Sequence, residues 1–366
     1  MGVEDIIRPD LEPLVPYAPG LRASQVRERT GVEKVLKLSS NEHPCGPVPA
    51  AIAAMRAVLP RVNRYPDGAC SALKDKLAAR LRVDSANIVV ANGSNEALRL
   101  IAQAVLRPGD EVVFAWPSFV VYPMVTAIFG AVAVKVPLAE GDVHDLDAIR
   151  AAITPRTRIV FLCNPNNPTG TIYGRDAFAQ FMETVPEHVL VVVDEAYFEF
   201  VTSPEYPDAL EWFDGERPLA VCRTFSKMYS LAGLRVGYAV VPAALARAVD
   251  KVREPFNVNT VAQIAAYYSL DDEAEVRRRR AENQEQKTYL YSCFDRLGIT
   301  YAQSETNFVY VHTSRPVEAF QALLAEGVIV RDFGTSPALR VTIGTPEDTA
   351  RTIEAFEAAA AKLGSF

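Results

Sequence analysis

Short runs of apolar, mostly β-branched residues recur along the first two thirds of the chain, separated by amphipathic stretches. Runs of this kind are typical of strands that are buried on both faces of a parallel or mixed sheet. We predict strands at 87–91, 111–114, 131–136, 158–163 and 189–194, with helices at 71–81 and from residue 95 onward. The alternation predicts an α/β fold with a mostly parallel mixed sheet flanked by helices, and such sheets bind ligands at the carboxyl ends of their strands.

The pattern changes near residue 250, where longer amphipathic stretches lead into isolated short strands. We predict helices at 262–270, 273–297 and 346–362, and strands at 307–311, 328–332 and 339–343, which together are typical of a smaller α+β domain. An extended arm is expected at the other end, because four prolines interrupt any helix there: Pro9, Pro13, Pro16 and Pro19. The predicted organisation is an arm at 1–40 that packs with the small domain, a large domain at 41–255 and a small domain at 256–366.

Composition narrows the classes of function. The formal net charge is -7, whereas a general nucleic-acid-binding surface needs an excess of basic side chains. The basic run 277–280 follows a group of acidic residues, and we predict that it is the solvated face of a charged helix. The N-terminus is unlike a signal peptide, and no apolar run reaches the roughly 20 residues of a membrane span. A cytoplasmic enzyme without membrane or nucleic-acid partners is therefore expected.

The cysteines and histidines lack the spacing of a metal site. The five cysteines form no C-x-x-C pair, and the four histidines are isolated from one another along the chain. The odd number and wide spacing of the cysteines also argue against a disulfide framework. We expect neither a metal nor disulfides.

Two polar segments follow predicted strands and could hold a ligand. In Asn92-Gly93-Ser94-Asn95-Glu96, the glycine permits a tight turn, and the free N–H groups of the following helix start suit a phosphate. Many α/β proteins have such a cap without a ligand there. Residues 164–170, with the sequence N-P-N-N-P-T-G, form a stiff loop whose asparagines can present amides at fixed angles. A simple tight turn is the alternative interpretation.

A carboxylate and an amine follow in two further segments. Asp194 ends the apolar strand at 189–194 and is followed by Glu195-Ala196-Tyr197. A carboxylate in this position needs a partner, either a structural salt bridge or a metal, a cation or a protonated heterocycle. Lys227 ends the segment R-T-F-S-K, and by itself it is most simply a surface lysine. Together the four segments offer a phosphate cradle, an amide, a carboxylate, a phenol and an amine at one edge of the sheet.

The order of these motifs is specific. N-P-N-N-P-T-G, then D-E-A-Y, then R-T-F-S-K followed by L-A-G-L-R-V-G-Y, resembles the fold-type-I, class I/II aminotransferases that depend on pyridoxal 5′-phosphate (PLP). The similarity extends from V-P-Y at 15–17 to R-V-T-I-G-T-P at 340–346. K-L-S-S-N-E at 37–42 and N-R-Y-P-D at 63–67 resemble the histidinol-phosphate aminotransferase branch of that family.

The resemblance implies roles for individual residues. The catalytic set is Lys227, which would hold PLP as a Schiff base and act as general base, Asp194 on the pyridine N–H, and Tyr197 on the ring hydroxyl. The implied cofactor-binding set comprises these three residues with Ser94, Asn95, Phe119, Asn167, Thr224, Ser226, Arg235 and Tyr65. In that set, Phe119 would stack on the ring, and the serines and Arg235 would bind the phosphate. The implied substrate-binding set is Tyr17, Asn41, Tyr65, Arg331 and Arg340.

The resemblance also implies the reaction and the assembly. The expected reaction is a ping-pong transfer of the amino group between histidinol phosphate and 2-oxoglutarate, through pyridoxamine phosphate, in histidine biosynthesis. The small-molecule partners would be the amino donor and 2-oxoglutarate or glutamate. Tyr65 would lie at the interface of a homodimer and reach the site of the partner subunit.

Other functions stay open on the sequence. Residues 254–257, with the sequence E-P-F-N, are similar to relatives that prefer phenylalanine or tyrosine, and threonine-phosphate decarboxylases share the family motifs. A non-catalytic PLP-binding domain of a transcriptional regulator is an alternative from another class. Only about 40 residues precede the aminotransferase-like region, however, and they show no helix-turn-helix pattern. Residues 71–74 match the S-x-x-K motif of serine acylases, without a companion motif nearby.

Overall fold

The computed structural model describes residues 2–8, 11, 12, 14, 16, 20–334, 336–364 and 366. Its strands are β1 (Leu36–Lys37), β2 (Ile88–Ala91), β3 (Glu111–Trp116), β4 (Val132–Pro137), β5 (Thr157–Cys163), β6 (Leu190–Asp194), β7 (Leu219–Thr224), β8 (Gly237–Val240), β9 (Phe308–His312), β10 (Val328–Ile329), β11 (Arg331–Asp332) and β12 (Ala338–Thr342). Its helices are α1 (Ala23–Thr30), α2 (Pro49–Val58), α3 (Ser71–Leu81), α4 (Gly93–Val105), α5 (Val121–Ile128), α6 (Leu146–Ala151), α7 (Arg175–Thr184), α8 (Ala243–Val252), α9 (Thr260–Ser269), α10 (Glu273–Leu297), α11 (Pro316–Ala325) and α12 (Pro346–Leu363). Helices α3 and α10 begin and end at the predicted residues.

The larger of the sheets has seven strands in the order β2-β8-β7-β6-β5-β3-β4. β8 is antiparallel to both of its neighbours, and the other pairs are parallel. Separate apolar clusters pack on its two faces, which is why β6 and β7 are buried along their whole length. The predicted α/β fold with a mostly parallel mixed sheet is confirmed.

A smaller sheet has the antiparallel order β11-β12-β9, and β1 pairs with β10 in parallel nearby. Helices α10, α11 and α12 pack around a core that includes Leu290, Phe294 and Phe356, in agreement with the predicted α+β pattern. The single strand predicted at 328–332 is wrong. It is divided into β10 and β11, because the chain passes at Val330 from its pairing with β1 to its pairing with β12.

The expectation of an extended N-terminal arm is wrong for residues 23–30, which form α1. The interrupting prolines all precede residue 20, and Gly31 ends the helix in the left-handed conformation with φ of 74°. Val26 of α1 is buried against Leu324 and Ile329. This part of the arm therefore packs against α11 and β10, while the division at residues 40 and 255 stays a prediction.

None of the helices in the described ranges has both the length and the apolar character that crossing a bilayer requires. Over the same ranges, no three histidine, cysteine or acidic side chains come together as a possible metal site. All five cysteines are free.

Candidate active site

The carboxyl ends of neighbouring parallel strands bring the predicted polar residues to one edge of the large sheet. Asp194 is the last residue of β6 and lies opposite Cys163 at the end of β5 and Cys222 in β7. The asparagine-rich loop 164–170 follows β5, and Lys227 follows β7. Segments that are far apart in sequence therefore converge at this edge.

Asp194 is buried, and one of its two carboxylate oxygens accepts a hydrogen bond from a side chain. The phenol of Tyr122 in α5 donates to Oδ2 at 3.0 Å, whereas Oδ1 has no hydrogen-bond partner among the described residues. Burial raises the pKa of Asp194 to about 6, and the Tyr122 hydrogen bond and the Lys227 charge act in the opposite direction. A buried carboxylate with one unused oxygen suits an N–H donor from a bound molecule.

Lys227 is half-buried next to Tyr197. Its Nζ donates to the backbone carbonyl of Ser40 at 3.2 Å and lies 5.7 Å from the centre of the Tyr197 ring. Burial, followed by the positive charge of Arg340, lowers the pKa of Lys227 to about 7. A large share of this amine is uncharged at neutral pH, as a nucleophile or general base requires.

Tyr197 and Asn41 connect this edge to the smaller sheet. The Asn41 amide donates to the Tyr197 hydroxyl at 2.8 Å, and its Oδ1 accepts from the Thr342 hydroxyl at 3.1 Å. Asn41 has φ of 55°, in the left-handed region that asparagine tolerates better than most residues. Burial raises the pKa of the Tyr197 phenol, so the hydroxyl stays neutral and can donate.

The start of α4 has the features of an anion site. Gly93 has φ of 78°, and a Cβ there would lie 2.9 Å from Nη2 of Arg235, so the guanidinium lies directly against the first turn. Nη1 of Arg235 lies 3.4 Å from the Ser226 hydroxyl, and the Thr224 hydroxyl lies 3.1 Å from the same oxygen. Ser94 is buried in this turn, and the side chain of the N-cap residue does not accept a capping hydrogen bond from the backbone N–H groups of the first turn. Free N–H groups, hydroxyls and a guanidinium together suit a phosphate.

Two arginines lie opposite each other in the smaller sheet. Arg340 of β12 pairs with Arg331 of β11, and directly paired residues share one face of a sheet. The Arg340 guanidinium donates to Oδ1 of Asn167 at 2.5 Å and to the carbonyl of Ser39 at 2.9 Å. Its bond to Asn167 joins the smaller sheet to the loop after β5. Guanidinium groups in this arrangement suit a phosphate or a carboxylate.

Two more predicted residues lie beside these groups. Asn95 is exposed on the first turn of α4, next to Ser94. Phe119 is partly buried, and its ring meets the Tyr122 ring edge-on, with 5.8 Å between the centroids. Phe119 is therefore connected to Asp194 through Tyr122.

Two predicted residues remain, Tyr65 and Tyr17. Tyr65 is 82% exposed and stacks on Phe256, with 4.7 Å between the ring centroids. Tyr17 lies outside the described residues.

Sequence reasoning missed Tyr122. It lies in the apolar segment that begins α5, and a buried phenol needs a hydrogen-bond partner. The need for a hydrogen-bond partner could have pointed to Tyr122, but it does not identify the partner. The partner, Asp194, lies 72 residues further along the chain.

The prediction for the basic run 277–280 is wrong at Arg279. Its neighbours Arg277 and Arg278 are exposed, but Arg279 is on the inner face of α10 with a side chain that is 3% exposed. Its guanidinium donates to the carbonyl of Met228 at 2.9 Å and to the hydroxyl of Ser230 at 2.6 Å. Arg279 thus ties the longest helix to the loop that carries Lys227.

The fold and the site together define a transferase of fold type I, as the sequence motifs imply. The family model for aminotransferase class I and II matches residues 33–356, and the chain belongs to that family. It is an enzyme, a PLP-dependent aminotransferase.

Relatives and solved structures agree with this assignment. The chain is 49% identical over 335 residues to the histidinol-phosphate aminotransferase of Moorella thermoacetica, a match that covers 90% of this chain and 86% of that protein. The histidinol-phosphate aminotransferase of Sinorhizobium meliloti, in complex with pyridoxal-5′-phosphate, has a TM-score of 0.89 at 26% identity and 98% coverage of both chains. The aspartate aminotransferase of Thermus thermophilus with maleate has a TM-score of 0.85 at 26% identity, over 96% of this chain and 99% of that chain. Proteins named for different substrates share this scaffold, so the substrate has to be argued from the site.

Proposed function

We propose that the protein transfers an amino group between histidinol phosphate and 2-oxoglutarate. The observation that carries this proposal is the pairing of Arg331 with Arg340 beside the site, because two guanidinium groups on one face of a sheet can hold a phosphate dianion. The 49% identity to the histidinol-phosphate aminotransferase of Moorella thermoacetica supports the same substrate.

The described residues fit PLP at both of its polar ends. The unused Oδ1 of Asp194 would accept a hydrogen bond from the ring nitrogen. The first turn of α4 would hold the phosphate, together with the side chains of Ser94, Asn95, Thr224, Ser226 and Arg235. When it is bound, PLP supplies an electron sink that stabilises negative charge at the substrate Cα.

Four side chains would act between these two ends. We assign the hydrogen bonds to the ring hydroxyl to Asn167 and Tyr197, whose neighbours Arg340 and Asn41 hold them in place. Phe119 would stack on the ring. Lys227 would hold the cofactor covalently through its amine.

Lys227 moves the proton in the proposed reaction. With its amine free, Nζ would accept the proton that leaves the substrate Cα and would later give it back within the site. The pKa of about 7 means that Nζ changes its protonation state readily at neutral pH. Asp194, kept in place by Tyr122, would hold the ring nitrogen in its protonated form.

The substrate would be held on the side of the smaller sheet. Arg340 and Arg331 would bind its anionic group, and Asn41 lies next to them through its bond to Thr342 in the same strand as Arg340. Tyr17 on the arm is proposed as a further substrate contact.

The proposed assembly is a cytoplasmic homodimer. Tyr65 supports it, because an aromatic side chain that is 82% exposed is typical of a surface that another subunit covers. In the dimer, Tyr65 would reach the site of the partner subunit. The domain organisation that we propose keeps the arm at 1–40, the large domain at 41–255 and the small domain at 256–366.

A panel of half-reactions tests the substrate. The PLP form of the enzyme is mixed in turn with histidinol phosphate, glutamate, phenylalanine, tyrosine and threonine phosphate, and the visible absorbance of the cofactor is followed. Fast loss of absorbance with histidinol phosphate and with glutamate supports the proposal, and Lys227→Ala should remove both responses. A preference for phenylalanine or tyrosine would contradict the substrate but not the enzyme class. Release of carbon dioxide from threonine phosphate would indicate a decarboxylase.

A further inference from the structure

Tyr122 contacts both of the groups that would hold the ring of the cofactor. Its phenol donates to Oδ2 of Asp194 at 3.0 Å. Its ring meets Phe119 edge-on, at an interplanar angle of 87°, and stacks on Phe161 at 4.7 Å between centroids. The side chain is fully buried, so these contacts fix its position from several sides.

We propose that Tyr122 is a positioning residue for the cofactor ring. Its hydroxyl occupies Oδ2 of Asp194 and leaves Oδ1 for the ring nitrogen, while its ring keeps Phe119 in place for stacking. This inference rests on the proposed function, because it concerns the same site and the same cofactor.

The groups around Asp194 explain the importance of the Tyr122 hydroxyl for this carboxylate. The titratable groups that face this carboxylate are the phenols of Tyr122 and Tyr197, the thiols of Cys163 and Cys222 and the amine of Lys227. Burial raises the pKa of both thiols and of the Tyr122 phenol, so these groups stay neutral. Among the described side chains, only that of Tyr122 donates a hydrogen bond to Asp194.

The hydroxyl of Tyr122 also counteracts the effect of burial on the pKa of Asp194. Burial favours the protonated form of Asp194, and the Tyr122 hydrogen bond favours the carboxylate. A carboxylate is what the ring nitrogen needs in order to keep its proton. Removing the hydroxyl should therefore weaken the hold on the cofactor as well as slow the reaction.

The variant that tests this is Tyr122→Phe, which keeps the aromatic ring and its contacts. Tyr206→Phe is the matched control. Tyr206 is also a buried tyrosine, and its hydroxyl lies 3.1 Å from Oε1 of the neighbouring carboxylate, Glu195, and 2.8 Å from the carbonyl oxygen of Asn164. Glu195 forms a buried ion pair with Arg223, so this control removes a similar hydrogen bond from a carboxylate with a structural partner.

The readouts are the dissociation constant of PLP from the apoenzyme, kcat and KM. Loss of one hydrogen bond to a charged group predicts that Tyr122→Phe binds PLP about tenfold more weakly or worse. We expect kcat to fall by a similar factor while KM for the amino donor stays within about twofold. Tyr206→Phe should match the wild type in PLP affinity, kcat and KM. Equal PLP affinity and kcat in the two variants would overturn the role of Tyr122.

A double-mutant cycle gives an independent readout. In Asp194→Asn, the carboxylate that Tyr122 serves is gone, so adding Tyr122→Phe should change PLP affinity by less than about twofold. Additive losses in the double variant would contradict the proposal. A wild-type enzyme that does not bind PLP would instead contradict the proposed function, and the two failures are thereby distinguished.

A probe that preserves the hydroxyl covers the case in which Tyr122→Phe does not fold. 3-Fluorotyrosine is placed at position 122 of the full chain, and its fluorine resonance is recorded before and after PLP is added. The resonance should move, because the hydrogen-bonded carboxylate gains a second partner. A resonance that does not move while PLP binds would overturn the inference.

Discussion

At the scale of single residues, the chemistry of the site follows from burial. Lys227 and Asp194 are both taken out of water, so each pKa moves toward neutrality, to about 7 for the amine and about 6 for the carboxyl. Each of the two groups can therefore change its protonation state near neutral pH. This property is set by the packing around the strand ends and by the neighbouring Arg340, the second cause of the shift at Lys227.

The rate at which the apoenzyme captures PLP should depend on pH through Lys227. The amine has to be neutral to react, and its pKa is lowered to about 7, so the rate should rise with pH up to about 7 and level off above it. Stopped-flow absorbance measures this rate, with free Nα-acetyl-lysine as the reference. The reference has an ordinary pKa of about 10.4, so its rate should continue to rise. Arg340→Gln removes a positive charge and should move the plateau to higher pH.

An apoenzyme rate that keeps rising to pH 10 would contradict this prediction. A plateau that stays at the same pH in Arg340→Gln would show that Arg340 does not contribute to the lowered pKa of Lys227.

At the scale of secondary-structure elements, the loop after β7 depends on α10. Arg279 reaches from this helix to Met228 and Ser230, and its Nη2 also donates to the carbonyl of Gly46 at 2.7 Å. Ser230 itself has φ of 58°, a conformation that needs support from its surroundings. One buried guanidinium therefore holds three chain segments together next to Lys227.

Arg279→Leu should destabilise the protein and slow the reaction. It leaves buried carbonyls without a donor, for which we expect a loss of about 3 kcal/mol in the free energy of unfolding. Arg278→Leu is the matched control, because its side chain is 53% exposed and its ion pairs with Glu275 and Glu282 are on the surface. That control should lose less than about 1 kcal/mol. Urea unfolding of the two variants measures the difference, and equal losses would show that Arg279 has no special role.

The elements also show which parts of the fold can be predicted from sequence. Strands β2, β3, β5 and β6 are predictable, because burial on both faces requires nearly continuous apolar runs, whereas β4 is a mostly exposed strand at the edge of the sheet. The division between β10 and β11 is not, because it depends on which strands pair with each of them. Helix α1 does not follow from the positions of the prolines, because all four precede residue 20 and the helix begins at Ala23.

The candidate site is predictable to a similar degree. The motifs indicate that Asp194, Tyr197 and Lys227 meet at the edge of the sheet, since Asp194 ends a strand whose position is clear, Tyr197 follows three residues later, and the order of the motifs adds Lys227 by its resemblance to the family. The supporting contacts of Tyr122 and Arg279 are between residues that are far apart in sequence, at separations of 72 and 51. Contacts of this kind follow from packing, which a single sequence does not reveal.

At the scale of the whole molecule, the proposed dimer makes each site depend on two chains. Tyr65 is exposed and stacks on Phe256 of its own chain, and it is expected to serve the partner subunit. Two inactive variants should then complement each other: Lys227→Ala and Tyr65→Ala. A hybrid dimer contains one site with an intact lysine and an intact tyrosine, so coexpression should give more activity than the sum of the two variants.

Activity that only equals the sum would contradict the shared site, provided that Tyr65→Ala alone is impaired. Lys251→Ala, a change to an exposed lysine on α8, replaces Lys227→Ala in the control pairing. In that control pairing Lys227 is intact in both chains, so coexpression should give no more activity than the sum of the two variants.

The hydrogen bond between Arg340 and Asn167 has a consequence for selectivity. Any molecule that pairs with Arg340 has to compete with an amide that already belongs to the protein. A phosphate or carboxylate competes well, because a charge-assisted bond to guanidinium is stronger than a bond to a neutral amide. An amine without an anionic group has no such advantage, so the hydrogen bond between Arg340 and Asn167 disfavours its binding. Asn167 thus acts as an internal ligand of Arg340, and every candidate substrate has to compete with it.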